Sequence, residues 1–289
     1  MKRDLPLLSD RRFDLLVCGG GVYGAWTAYD AALRGLQVAV IDQGDWAGAT
    51  SSASSKLIHG GLRYLESLDF RLVRKALTER QRLLGIAPHR VWPLQFGVPV
   101  YQGSRIGPLR LMAGLTLYDL LAGNPCSAVS HKRFDPPTFS SRYLALNTSS
   151  LKAGFIYTDA QTDDARLVLE LIAGAQATGA ICVNYCRLSS LLEENGLAFG
   201  ARIQDQLTGQ EISVSARQIV FATGQWIATP VATHCRLTKG VHLVMPNVLA
   251  DEALLLTAPS DGRVFFMIPW YGRTLLGTTD TDFAGELRF

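Results

Sequence analysis

The densest chemistry in this chain lies between positions 50 and 66. Thr50, Ser51, Ser52, Ser54 and Ser55 supply five hydroxyls, and Lys56, His59, a Gly60-Gly61 pair, Arg63 and Tyr64 come directly after them. Hydroxyls and backbone N–H groups donate to phosphate and polyol oxygens. A guanidinium pairs bidentately with an oxyanion, and an imidazole takes up or releases a proton near neutral pH. A flexible serine linker would explain the hydroxyls but not the lysine, histidine and arginine beside them. Upstream, Gly19-Gly-Gly21-Val-Tyr-Gly24 has the G-x-G-x-x-G spacing. Gly19 permits a tight turn, Gly21 lets a pyrophosphate approach the backbone, and Gly24 lets a helix close on a strand. Asp42, 18 residues after Gly24, is placed to accept hydrogen bonds from a ribose hydroxyl pair. An acid there disfavours a 2′-phosphorylated cofactor. The two stretches read together as a dinucleotide site, with the adenine half on the glycine turn and the reactive end toward residues 50–66. The opening unit alone does not separate a nicotinamide from a flavin. The hydroxyl-rich loop stands where a nicotinamide fold would continue into another helix and parallel strand, and it offers contacts to pyrophosphate, ribityl chain or flavin ring.

These residues need elements to hold them. Residues 13–18 are a short apolar run that predicts a buried parallel strand. An alanine-rich helix over 25–34 comes after the glycines, Gly35 stops it, and 37–41 predicts a second buried strand ending at Asp42. After the serine loop, 65–84 predicts a helix with Arg and Lys on one face and Leu72, Val73, Leu77, Leu83 and Leu84 on the other. Pro88, Pro93 and Pro99 interrupt the next segment, and 94–101 predicts a strand. The apolar segment 108–121 predicts a core helix, with an interfacial helix resting in a membrane surface as the alternative. Residues 123–150 read as loop, 155–157 as strand, and Thr162 or Asp163 caps a helix to about 177. Further strands are expected at 180–183, 218–221, 241–245, 264–268 and 274–277, and a hairpin joins 197–203 to 211–216. The expected fold is α/β: a Rossmann-like nucleotide-binding domain (12–90 and 150–235) with an interleaved mixed or antiparallel β-sheet substrate or cap domain (91–149 and 236–289).

Composition narrows the class. The 289 residues are 48% hydrophobic and 18% charged with a net charge of +3, which is globular and carries no nucleic-acid signature. Five scattered cysteines (Cys18, Cys126, Cys182, Cys186, Cys235) lack zinc-ligand spacing and fit a reduced, cytoplasmic compartment. No metal site is expected. The N-terminus has no apolar h-region, and no run of about 18 apolar residues would span a membrane.

Other stretches are more specific. Residues 50–66 and Phe70-Arg-Leu-Val73 are joined by Asp163-Asp-Ala-Arg-Leu-Val168, Ala222-Thr-Gly224 with Trp226, Lys239-Gly240 with His242, Ile268-Pro-Trp270 and Gly277-Thr-Thr-Asp280. With the glycine turn, they make the chain resemble the FAD-dependent glycerol-3-phosphate dehydrogenases, within the D-amino-acid-oxidase-like flavoproteins. The resemblance implies FAD as cofactor and oxidation of sn-glycerol 3-phosphate to dihydroxyacetone phosphate. Hydride would pass from C2 to flavin N5, and electrons onward to a membrane quinone. It implies substrate contacts at Arg63 and Tyr64, and at His59 either the base for the C2 hydroxyl or a flavin contact. Lys56, Gly60, Gly61 and Ala222-Thr223-Gly224 join the implied cofactor set. Lys239, His242 and Thr279 form a second tier. A quinone acceptor implies peripheral attachment to the inner face of the cell membrane. The assembly is left open, with a homodimer as the candidate. Two other readings stay open: a related oxidase using oxygen on an amine or on glycerol 3-phosphate, and an inactive nucleotide-binding fragment. Phe221 and Gln225 depart from the Asn and Pro usual around Ala-Thr-Gly. The family also continues past the position matching Phe289, to a last strand, a Gly-Gly-Lys flavin contact and another substrate arginine. The chain therefore reads as the N-terminal portion, C-terminally truncated, with weak FAD retention expected.

Overall fold

The computed structural model describes residues 2–123, 130–226 and 236–285; Cys126 and Cys235 lie outside them. Strand β1 (Arg12–Cys18), helix α1 (Val22–Leu33) and strand β2 (Val38–Ile41) come first. β3 (Leu57–Ile58), a 3-10 turn (Leu62–Leu65), α2 (Phe70–Ile86) and β4 (Val91–Tyr101) come after them. Next are α3 (Pro108–Leu121), β5 (Lys132–Phe134), α4 (Pro136–Arg142) and β6 (Leu151–Thr162). α5 (Asp164–Ala177) leads into β7 (Ile181–Val183), β8 (Cys186–Glu194), β9 (Leu197–Asp205) and β10 (Glu211–Phe221). The later strands are β11 (Thr238–Lys239), β12 (Leu243–Pro246), β13 (Ala253–Thr257), β14 (Val264–Trp270), β15 (Arg273–Gly277) and β16 (Thr281–Asp282).

The chain forms two compact units: Met1–Ser54 with Asp163–Leu237 and Asp282–Phe289, and Ser55–Thr162 with Thr238–Thr281. The crossings at Ser54/Ser55 and Thr162/Asp163 differ from the expected boundaries at 90/91 and 149/150. The local reason is pairing: Leu57 and Ile58 of β3 lie beside Gln161 and Ala160 of β6, so residues 55–90 and 150–162 fold with the second unit.

The first unit is a sheet in the order β7-β2-β1-β10-β9-β8. β7, β2, β1 and β10 run parallel. β2, Val-Ala-Val-Ile, is buried throughout, as a sheet covered on both faces requires. The register puts Cys18 beside both Ile41 and Phe221, so β1, β2 and β10 finish level. The 218–221 strand expected as separate is the second half of β10. Its first half pairs antiparallel with β9, and its length from Ser215 pairs parallel with β1. Asp163 caps α5 by accepting from Arg166 N at 3.2 Å.

The second unit is built on a sheet in the order β12-β15-β14-β13-β4-β6-β3, with β5 also on β6. β4 runs through Pro93 and Pro99. Its other neighbour, β13, meets it only at Phe96 and Gly97, which limits the ladder bonds that the prolines could interrupt. Period-two alternation sends Leu94, Phe96, Val98 and Val100 of β4 and Ala153, Phe155 and Tyr157 of β6 into one core with Val73 and Leu77 of α2 and Leu111, Leu115 and Tyr118 of α3. Each large apolar side chain buried there contributes about 1.5–3 kcal/mol. Leu72, expected on the apolar face of α2, is exposed, while Arg80 continues the inward stripe of Val73 and Leu77. The 123–150 stretch is not all loop: Pro136-Pro137 open α4, where a missing N–H costs nothing, behind the Asp135 cap.

Candidate functional site

A cavity of about 740 Å³ opens at the level ends of β1, β2 and β10, within the range of sites for sizeable small ligands. Gly19, Gly21, Asp42, Thr50, Ser51, Ser54, Ala222, Thr223 and Gly224 all line it, as do Arg187 and Trp226. Gly24 does not; it sits where a Cβ would stand 1.7 Å from the Gly19 carbonyl oxygen and 3.3 Å from Val17 Cγ1, so only glycine lets α1 close on β1. Gly19 adopts φ +112°, in the region that favours glycine. Gly20, which the glycine pattern leaves unassigned, packs against Trp46 and donates from its N–H to Asp42 Oδ2 at 2.6 Å. Asp42 also accepts from Gly44 N at 2.8 Å. Burial raises its carboxyl pKa above the ordinary range, against the pull of those two backbone donors. Two of the roughly four acceptor positions of a carboxylate are thus used, one on the glycine loop and one on the turn after β2, and the others remain for a ligand hydroxyl.

The serine loop supplies what the helix N-terminus lacks. Gly21 offers α1 no side-chain cap, and Ser51 Oγ accepts from Val22 N at 3.2 Å instead. Thr50 Oγ1 lies 3.3 Å from Gln225 Oε1, so the glutamine that departs from the family pattern fastens the loop that carries Thr50. Ser54 donates to Asp164 in the first turn of α5. Ser52 departs from expectation. Its hydroxyl donates to the Ala49 carbonyl at 2.8 Å and it does not line the cavity.

A dinucleotide fits this cavity on three observations. Gly21 meets nothing nearer than Ser51 Oγ at 3.5 Å, so its backbone stands open. The buried Thr223 Oγ1 has no hydrogen-bond partner. The α1 N-terminus directs its backbone N–H groups and dipole at the same space. Arg187 at the start of β8 also reaches the cavity, because Cys186 N donates to the Asp42 carbonyl at 2.6 Å and so holds the start of β8 at the end of β2, a meeting that local pattern does not reveal.

Ser55, Lys56, His59, Gly60, Gly61, Arg63 and Tyr64 fold in the second unit. Ser55 Oγ and His242 Nε2 are 2.8 Å apart. Lys56 is buried in a left-handed conformation (φ +59°), its Nζ 5.6 Å from the centre of the Trp270 ring. Burial, and then the Lys56 charge, lower the His242 pKa below the ordinary histidine value. Gly61, at φ +72°, turns the chain into the 3-10 segment, and the Tyr64 ring folds over it. His59, Arg63 and Tyr64 are exposed around this turn. Thr279 accepts from Val241 N at 2.9 Å through Oγ1, and the same hydroxyl is 3.5 Å from the Lys239 carbonyl, so the Thr279 side chain serves the backbone here. Burial lifts the thiols of Cys18 and Cys182 to about 12 and that of Cys186 to about 11, which leaves them poor nucleophiles and ligands. Among the described residues no cluster of three metal-ligating side chains occurs.

The chain matches known proteins over almost its whole length. A glycerol-3-phosphate dehydrogenase of Synechocystis is 40% identical over 99% of the chain and 55% of that protein. An alpha-glycerophosphate oxidase of Streptococcus pyogenes is 37% identical over 98% of the chain and 48% of that protein. The crystal structure of the glycerol-3-phosphate dehydrogenase from Bacillus halodurans complexed with FAD superposes with a TM-score of 0.77 at 30% identity, over 98% of this chain and 50% of that one. The chain therefore spans about half the length of these relatives. The family model for FAD-dependent oxidoreductases matches residues 14–289. With that match lying on the glycine turn, the level strand ends and the cavity between them, the chain belongs to the FAD-dependent oxidoreductase family.

Proposed function

We propose that this protein takes part in oxidising sn-glycerol 3-phosphate to dihydroxyacetone phosphate, with FAD as its cofactor and a quinone as final acceptor. The observation that carries the reading is the joint presence of the open, glycine-lined cavity and the Arg63–Tyr64 turn in a chain 40% identical to a protein named for this activity. When bound, FAD supplies the acceptor for the C2 hydride. The chain's residues do the rest. The α1 N-terminus, Gly19, Gly21, Ser51 and Thr50 hold the pyrophosphate, and Asp42 holds the adenosine ribose. Ser54, Ser55, Lys56, Gly60, Gly61, Ala222, Thr223 and Gly224 complete the cofactor contacts. Arg63 pairs with the substrate phosphate through its planar fork, and Tyr64 donates its hydroxyl. A neutral imidazole takes the C2 hydroxyl proton. His59 is the first candidate; His242, kept neutral by burial and Lys56, is the second.

The relatives differ in the activities they are named for, so the acceptor is tested separately: hydrogen peroxide release marks an oxidase, and dye or quinone reduction a dehydrogenase. Among the described residues no helix is long and apolar enough to cross a membrane. α3 buries Leu111, Leu115 and Tyr118 in its own unit, which supports a core helix and leaves peripheral attachment to the cytoplasmic face as a proposal that liposome flotation tests. The central experiment is dye-coupled oxidation of glycerol 3-phosphate by FAD-loaded protein. Arg63→Ala is expected to raise KM about 100-fold, the loss of a charge-assisted bidentate pair. No turnover of glycerol 3-phosphate, or turnover of amines instead, would overturn the reading.

A further inference from the structure

Three elements of the second unit converge on one backbone amide. Gly60 N donates to Tyr118 Oη at 2.7 Å and stands 3.3 Å from Asp159 Oδ1. Tyr118 comes from α3, and its hydroxyl donates in turn to the Asp159 carboxylate, with oxygens at 2.8 and 2.9 Å. Arg80 of α2 completes the group. Its Nη1 pairs with Asp159 and donates to the Thr158 carbonyl at 3.0 Å, and its guanidinium lies 6.0 Å from the centre of the Tyr118 ring. Tyr118 is 1% exposed and Asp159 2%. The loop is pressed against this group: a Cβ on Gly60 would stand 2.4 Å from Tyr118 Oη and 2.5 Å from Leu77 Cδ2.

Burial in an apolar core pushes the Asp159 carboxyl pKa up, and the Arg80 guanidinium opposes that shift. Such a group is an expensive way to fill space. Replacing a buried ion pair with apolar side chains of equal volume is often neutral or stabilising, and the surroundings here (Val73, Leu77, Leu115, Tyr157) are already apolar. What apolar packing cannot do is fix one amide in distance and direction. The amide fixed is the one between His59 and the Gly61 turn that presents Arg63 and Tyr64.

We propose that Tyr118, Asp159 and Arg80 are positioning residues that lock the Gly60 amide and so set where His59, Arg63 and Tyr64 are presented. The inference rests on the proposed reading of residues 59–64 as substrate-facing. Tyr118→Phe keeps the ring and removes the hydroxyl; Asp159→Asn removes the charge. Hydrogen–deuterium exchange on the full chain loaded with FAD reads the loop directly. In both variants residues 57–66 are expected to exchange about tenfold faster, with the rest of α3 and β6 unchanged, which corresponds to one buried hydrogen bond. Per bound flavin, kcat/KM for glycerol 3-phosphate is expected to fall at least tenfold, mainly through KM. Unchanged exchange over 57–66, equal acceleration throughout α3 and β6, or kinetic constants within twofold of wild type would overturn the proposal. If the wild-type protein does not oxidise glycerol 3-phosphate, the functional reading fails, and the exchange measurement alone still decides whether the amide is locked.

Discussion

Two glycines three positions apart should fail in different ways when changed to alanine. At Gly24 the added Cβ would sit 1.7 Å from the Gly19 carbonyl oxygen and 2.9 Å from its carbon. Ordinary contact needs roughly twice the shorter distance, and both obstacles are backbone, so no side chain can swing aside. Helix α1 must lift from the strand end by about 1.5 Å. Overpacking of this kind costs about 1–3 kcal/mol, and disturbing the turn adds to it. Gly24→Ala should therefore lower the stability of the cofactor-free protein by about 3 kcal/mol and also weaken FAD binding. At Gly21 the backbone is already in a conformation any residue adopts (φ −78°, ψ −172°), and the nearest atom to an added Cβ is Ser51 Oγ at 3.5 Å. Gly21→Ala should leave the cofactor-free protein within about 0.5 kcal/mol of wild type. The methyl would stand where the ligand backbone approaches, so FAD affinity should fall at least tenfold, about 1.4 kcal/mol. Urea unfolding of apoprotein, paired with flavin titration followed by fluorescence quenching, separates the two effects. An apo Gly24→Ala variant as stable as wild type, or a Gly21→Ala variant with unaltered FAD affinity, would refute the assignment of the turn.

Other expectations are simpler. The folded-state pKa of His242 is held below its ordinary value by burial and Lys56, so the folded protein binds fewer protons there than the unfolded chain. Its contribution is full above about pH 6.5 and is lost as pH falls from there through the lowered folded pKa. His242→Gln should flatten that part of the stability–pH curve, as urea midpoints across pH 5–8 would show; an unchanged curve would count against a half-buried neutral imidazole. Asp163→Ala removes the cap that accepts from Arg166 N and should cost about 1 kcal/mol in urea unfolding. Gln225→Ala frees Thr50 from its side-chain partner and should raise the FAD dissociation constant by a few fold, with apo stability unchanged.

Short-range chemistry was legible from the chain alone. The glycine spacing, the buried apolar run of β2 ending at Asp42, and the Asp163 cap each depend on residues within a few positions of one another. Backbone sterics and capping act at that range. The parallel sheet was implied by strand–helix–strand order, and the family by stretches spread along the chain. Tertiary structure decided which side chains meet. β10 serves a parallel neighbour with all but its first residues and an antiparallel one with its first half, and its sequence carries no mark of the change. Ser51 looked like a ligand contact and proved also to cap α1. Gln225 looked like a departure and proved to hold Thr50. Asp159 lies two positions past the strand expected at 155–157, and nothing local marks it. Only the pairing of β6 with β4 turns it toward α2 and α3, where Arg80, 79 positions away, and Tyr118, 41 away, meet it over the Gly60 amide. Local propensity cannot specify such a meeting, because strand register and helix docking, set by burial of whole faces, choose which distant polar groups share one buried point.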